Sequence, residues 1–238
     1  MTDRDATMGL LEHLEELRRR LIVIAASVLV AAIAGFILSD AALDVLRRPL
    51  PDQYSTLYFT SVGGAFAVKL KISLFLGIFL AVPVILYHVW RFVTPGLTAG
   101  ERRLVWPFLG LGIVLFLAGV TLGYVIIPFA LNFLLGFAEP RLQPLLTIEE
   151  YVGFVTTMML VFGLVLEFPI VLMTLARVGV LSHAFLAARR RWALLLMVVF
   201  AVIATPGSDV FSPIILTTAM YLLFEATLLA IRFIRRRE

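Results

Sequence analysis

Six stretches of apolar residues, set apart by charged or turn-forming segments, organise this chain of 238 residues. They lie near 21–38, 72–90, 104–127, 152–180, 192–204 and 213–231. A helix rising 1.5 Å per residue needs about 20 apolar residues to cross a hydrocarbon core about 30 Å thick, so each stretch reads as a membrane-spanning helix. The pattern predicts an all-α integral membrane protein, with residues 1–238 forming a single membrane domain. No internal repeat, parallel or inverted, and no low-complexity segment interrupts it. The fifth stretch differs from the others. Only 13 residues separate Arg191 from the turn signal Thr205-Pro206-Gly207-Ser208-Asp209, which is roughly 20 Å of helix. Either the bilayer thins around it or neighbouring helices shield it. The expected shape is a concave, lopsided bundle whose fifth and sixth helices are short.

Polar positions refine this outline at the N-terminus. Leu10, Leu14, Leu17 and Leu21 recur on one helical face, and Glu12, Glu15, Glu16, Arg18, Arg19 and Arg20 occupy the other. Residues 1–20 therefore read as a cytoplasmic amphipathic segment at the membrane surface, leading into the first span. Glu15 with Arg19 and Glu16 with Arg20 are i, i+4 pairs, each worth about 0.2–0.5 kcal/mol on a solvated face. Two longer connections, 39–71 and 136–151, carry Pro49, Pro51, Pro140 and Pro144 and are expected to be partly structured caps.

Composition agrees with the periodicity: 61% of residues are hydrophobic, 15% are charged, and the mean hydropathy is +1.02. Charge then sets the orientation. Fifteen of the 20 Lys and Arg residues flank one set of span ends, and the other five are Arg47, Arg48, Lys69, Lys71 and Arg141. By the positive-inside rule both termini face the cytoplasm. The N-terminus has acidic residues and no small-residue cleavage pattern, so the first span is expected to be retained. The pI near 9.8 reflects this topology, with anionic membrane lipid as the partner it suits. No basic and aromatic interleaving points to nucleic acid. With no cysteine, disulfides, thiolate catalysis and Cys-ligated metals are excluded.

Several polar residues carry chemistry. Glu167 lies inside the fourth apolar stretch, in a run broken otherwise only by Arg177. Burying a charge at that depth costs at least ~2.5 kcal/mol, so the residue must be neutral, paired or facing a wet cavity. Pro169 leaves the carbonyl of Val165 without its donor and predicts a kink beside the carboxylate. A neutral hydrogen-bonded glutamic acid, a proton relay and a docking site all remain open for Glu167 on these grounds. In the loop after the second span, Pro95-Gly96 marks a turn, and Thr98 with Glu101 forms a capping box for the third span. Asp209 stands where it can cap the sixth span. Glu225 is expected to pair with Arg232 at the cytoplasmic interface. His13, His88 and His183 lie apart in sequence and form no metal-ligand pattern, so neither metal nor cofactor is assigned.

These residues fall into a familiar series. His13-Leu14-Glu15-Glu16-Leu17-Arg18 is followed by Pro83-Val84-Ile85-Leu86-Tyr87-His88-Val89-Trp90-Arg91-Phe92 and by Pro95-Gly96-Leu97 with Glu101-Arg102-Arg103. Glu167-Phe168-Pro169, Thr205-Pro206 with Asp209-Val210-Phe211-Ser212, and Tyr221-Leu222-Leu223-Phe224-Glu225 continue it in order. The chain resembles the TatC family, the polytopic subunit of the twin-arginine protein translocase, over nearly its whole length. It departs from a frequent family pattern where Gly207-Ser208 lengthens the turn and Pro213 follows the serine.

The resemblance implies a receptor in the cytoplasmic membrane of a prokaryote. Such a receptor binds twin-arginine signal peptides and, with single-span subunits of the TatA and TatB type, exports folded proteins using the proton-motive force. By matching positions, Glu16, Phe92 and Glu101 would bind the signal peptide. Carboxylates at a membrane surface suit this role, because guanidinium binds carboxylate bidentately. The resemblance assigns Glu167, Pro169 and Asp209 to partner docking or gating, and Arg18, Pro49, Pro95 and Glu225 to supporting roles. It also implies further TatC copies in the assembly, and no enzymatic activity.

Two other classes compete with this reading. A proton-coupled small-solute transporter with Glu167 as proton carrier explains the glutamate, but it predicts an inverted repeat that the chain lacks. An intramembrane enzyme would need a nucleophile elbow or a pair of aspartates within the spans, and neither pattern occurs.

Overall fold

The computed structural model describes residues 10–93, 105–139, 144–177, 181–207 and 209–234. Nine α-helices are found among them: α1 (Leu10–Ile37), α2 (Ser39–Arg47), α3 (Gly64–Val93), α4 (Val105–Leu135), α5 (Ile148–Val165), α6 (Phe168–Arg177), α7 (His183–Ala188), α8 (Arg190–Ala204) and α9 (Phe211–Ile234). Five segments are long and apolar enough to cross a membrane: Glu12–Ile37, Gly64–Phe92, Trp106–Leu135, Ile148–Ala176 and Phe211–Arg232. Outer surfaces are apolar on these segments and on the shorter α8 alike, with Leu29, Val30, Ile33 and Ile37 of α1 and Leu196 and Ile203 of α8 all exposed. In a water-soluble fold those faces would be polar.

The order of packing is a row. α1 lies chiefly against α3, α3 contacts α4 and α5, and α9 joins α4 and α6 to α8. Lipid is as apolar as leucine, so helices in a bilayer associate through close van der Waals packing, which small residues permit. The α1–α3 seam has this character. A Cβ on Gly35 would lie 2.8 Å from the Ser73 carbonyl oxygen, and one on Gly77 would lie 2.8 Å from both Ala32 Cβ and the Val28 carbonyl. The α4–α5 seam uses Gly119 and Gly123, spaced as G-x-x-x-G, against Phe162 and Gly163. The main core continues through Val155, Met158 and Phe162 of α5 to Leu216, Met220 and Phe224 of α9.

The connection 39–71 is a structured cap, as expected. Tyr124 of α4 donates its hydroxyl to the Val45 carbonyl, and Tyr151 of α5 donates to the Leu46 carbonyl, both at 2.7 Å. The last carbonyls of a helix lack i+4 donors; here Val45 accepts from Arg48 N–H as well as from Tyr124, and Leu46 accepts from Tyr151. A two-bond bridge joins the cap to the start of α5: Tyr58 N–H donates to Leu146 at 3.0 Å, and Ile148 N–H donates to Tyr58 at 2.8 Å. Lys69 pairs with Asp40 at 2.8 Å. Pro49 is buried beside Leu50 at the end of α2.

From Leu10 onward the amphipathic segment runs into the first span as one helix, as expected. The fourth stretch breaks into α5 and α6 beside Glu167, where Pro169 predicts a kink. One expectation changes: the sixth helix is not short, since α9 has 24 residues, about 36 Å of helix. Its apolar face continues past Glu225 to Ile231, which is buried. The fifth helix is short, as expected, with 15 residues in α8. Pro206 cannot continue the helical ladder and Gly207 takes a left-handed φ of 104°, so the chain turns there.

Candidate functional site

The first turns of α1 and the last turns of α3 meet. The His13 ring stacks on the Phe92 ring with centroids 4.3 Å apart and planes within 16°. One helical turn further along α1, Arg20 donates to Glu16 Oε1 through Nε at 3.1 Å and through Nη2 as well. Glu16 Oε2 is buried and has no hydrogen-bond partner among the described residues. His13 Nδ1 lies 4.0 Å from it. Glu16, Arg19, Arg20 and Val23 of α1 and His88 and Arg91 of α3 line a hollow of about 310 Å³. Arg91 donates to the Tyr87 hydroxyl at 2.7 Å, which turns its guanidinium back along α3. Arg18 is exposed on α1, and no ion pair joins Glu15 to Arg19 among the described residues. Glu101 and Pro95 lie outside the described residues; of the predicted binding residues, Glu16 lines this hollow and Phe92 is linked to it through the His13 ring.

Glu167 stands at the break between α5 and α6. Pro169 is buried and supplies no N–H to Val165, and the Glu167 carbonyl accepts from both Ile170 N–H at 3.0 Å and Val171 N–H at 3.3 Å. The chain tightens there and the carboxylate is set beside the broken turn. On one side it reaches Gly112 of α4, where an added Cβ would lie 3.2 Å from Oε2. On the other it faces an apolar groove of about 540 Å³ between α5, α6, α8 and α9, walled by Phe168, Met197, Phe200, Met220 and Phe224. Oε1 is buried without a hydrogen-bond partner among the described residues. A carboxyl group of this kind suits a polar or hydrogen-bonding partner arriving along an apolar wall.

Asp209 caps α9 as expected: Ser212 N–H donates to its Oδ1 at 2.7 Å. Both residues are buried, and Asp209 Oδ2 and Ser212 Oγ have no hydrogen-bond partner among the described residues. Asp209 lies with Pro213, Thr217 and Thr218 along a second hollow, about 660 Å³, between α8 and α9. It is thus separate from the Glu167 groove, although α8 and α9 contribute to both. Glu225 corrects the expectation: it accepts from Arg190 Nη2 at 3.0 Å rather than from Arg232. The reversal after α8 brings its start beside the second half of α9, so a residue 35 positions away becomes the partner.

Part of this arrangement has a signal in the spacing. His13, Glu16 and Arg20 fall at i, i+3 and i+7 on one face, and His88 and Phe92 at i, i+4 on another. His13, which belongs to no metal-ligand pattern, serves as a stacking partner for Phe92. Gly112 carries no local signal at all, because its role depends on α6 crossing α4.

Comparison with known proteins identifies the family. The family model for the Sec-independent protein translocase protein (TatC) matches residues 12–218. The TatC protein of Carboxydothermus hydrogenoformans is 36% identical over 235 residues, spanning 98% of this chain and 97% of the relative. TatC of Aquifex aeolicus is 32% identical over 236 residues, covering 97% and 98%. A crystal structure of the twin arginine translocase receptor TatC in DDM superposes with a TM-score of 0.80 at 33% identity, covering 92% of this chain and 99% of that one. Sequence and backbone course both match over nearly the full length, and the chain belongs to the TatC family of Sec-independent protein translocase proteins.

Proposed function

We propose that this protein is the receptor subunit of a twin-arginine translocation system and that the hollow between α1 and α3 holds the arginine-bearing part of the signal peptide. One observation carries the reading: Glu16 stands within one helical turn of the His13–Phe92 stack, in a half-buried setting where a guanidinium already meets its carboxylate. Carboxylate and aromatic side by side recognise the charge and the plane of an arginine together. Glu101, in the loop after α3, adds the second carboxylate for the second arginine, and Arg18 and Pro95 support the two binding segments.

The same proposal gives the other sites their parts. The chain crosses the cytoplasmic membrane of a prokaryote six times, α8 included, with both termini in the cytoplasm, and the Lys and Arg distribution supports that orientation. Glu167 and Pro169 form a docking or gating place for single-span subunits of the TatA and TatB type, and Asp209 borders a second one. Cargo leaves folded, driven by the proton-motive force, through an assembly that includes further TatC copies.

A photocrosslinking amino acid at position 92 tests the recognition step. Full-length protein in detergent is offered labelled signal peptides carrying Arg-Arg or Lys-Lys at the same positions. Crosslinking to the Arg-Arg peptide should exceed that to the Lys-Lys peptide, and equal labelling of the two would refute arginine recognition at this hollow.

A further inference from the structure

The Glu16 carboxylate in the α1–α3 hollow is engaged by a guanidinium of the chain itself. Arg20 meets Oε1 through both Nε and Nη2. The pair is shielded from solvent, with side chains 13% exposed for Arg20 and 20% for Glu16. An arginine of a bound peptide that meets the carboxylate with its planar fork needs both oxygens. Arg20 already holds one of them, Oε1, so the fork cannot seat while Arg20 stays. Oε2 is buried and has no hydrogen-bond partner among the described residues, so a displacing ligand meets a carboxylate with capacity still unused. Arg19 and Arg91 also line the hollow, so a cation entering it must overcome positive charge as well as displace Arg20.

We infer that Arg20 is an internal competitor for the Glu16 carboxylate, and that an arginine-bearing signal segment binds by taking its place. The inference rests on the proposed reading of Glu16 as a signal-peptide carboxylate. In this arrangement most free receptors keep the carboxylate covered by Arg20, and weakly bound cations are kept out. Competition reduces the apparent affinity of every cationic ligand by the fraction of receptors whose site is open. That factor belongs to the receptor and not to the peptide. Removing the competitor therefore tightens arginine and lysine peptides equally and leaves the ratio between them unchanged. A side chain that contacts the peptide would instead change the ratio.

Binding of fluorescent Arg-Arg and Lys-Lys signal peptides to the full chain in detergent micelles tests this. The receptors compared are the parent, Arg20→Gln, Arg20→Lys, Glu16→Gln and the double substitution Glu16→Gln/Arg20→Gln, with thermal unfolding checking that each is folded. Arg20→Gln should lower Kd for both peptides by the same factor, about three- to tenfold for a partly shielded ion pair. Arg20→Lys should give a smaller gain, since an ammonium lacks the fork. In the Glu16→Gln background the Arg20 substitution should bring no gain. Weaker or unchanged binding by Arg20→Gln, with Glu16→Gln still losing the peptide, overturns the competitor and leaves the recognition reading standing. Undiminished binding by Glu16→Gln removes both. If Arg20→Gln does not fold, Arg20→Lys carries the test, and the absence of tightening overturns the inference.

Discussion

A Cβ on Gly112 of α4 would lie 3.2 Å from Oε2 of Glu167, so the carboxylate of the broken span occupies space that a side chain at 112 would take. The glycine and the glutamate are one device: α4 supplies the recess, and the α5–α6 break supplies the group that fills it. Leu86 Cδ1 and Ile170 Cδ1 close the recess at 3.0 and 3.3 Å from the same point, so the carboxylate has little room to move aside on that flank.

Gly112→Val should therefore drive Glu167 toward the apolar groove and impair the groove as the proposed docking place. Co-purification of a single-span partner subunit should fall as it does for Glu167→Ala, while signal-peptide binding at the α1–α3 hollow is retained. The expected loss of stability is about 1–3 kcal/mol, typical of overpacking. Peptide binding falling with partner assembly unchanged would reverse the assignment.

Gly119 tests the α4–α5 seam. A Cβ there would collide with the Phe162 carbonyl oxygen and come within 2.7 Å of Gly163 Cα, and both are backbone atoms that cannot rotate away. Gly119→Ala should cost about 1–3 kcal/mol. Gly110→Ala, on the same helix with nothing within 4 Å of the added Cβ, should stay within about 0.5 kcal/mol of the parent. Thermal unfolding in detergent compares the two directly.

Asp209→Ala removes the acceptor from Ser212 N–H and leaves the start of α9 without that cap. A loss of about 0.5–2 kcal/mol is expected. Asp209→Asn keeps an acceptor at Oδ1 and should retain most of the stability, so a large loss in the asparagine variant would point to charge rather than capping.

Arg190 and Glu225 form a contact between α8 and α9 whose side chains are 50% and 29% exposed. Solvent screening limits such a pair, and a double-mutant cycle with Arg190→Gln and Glu225→Gln should give a coupling below about 1 kcal/mol. The same cycle with Arg232 in place of Arg190 should give none, which separates the observed pair from the one that sequence distance favours.

Hydropathy by itself determined that this protein is a helical membrane protein, because an apolar run of sufficient length has no other stable form in lipid. It also marked the short α8, since Thr205-Pro206-Gly207 ends a helix through local backbone chemistry alone. The kink at Pro169 and the cap at Asp209 were readable for the same reason: each depends on residues within four positions. Loop motifs, read as a resemblance, named the family. Tertiary structure decided what depends on helices crossing. It paired Glu225 with Arg190 across a hairpin, stacked His13 on Phe92 at 79 residues' remove, and placed Gly112 under Glu167. Periodicity assigns a residue to a face of its own helix, but the neighbour on that face is fixed by packing, where small residues allow close approach and carbonyls left free find hydroxyl donors on other helices. Glu16 shows the division most plainly. The i, i+4 rule gave its contact with Arg20, and only the approach of α3 enclosed that pair in a hollow.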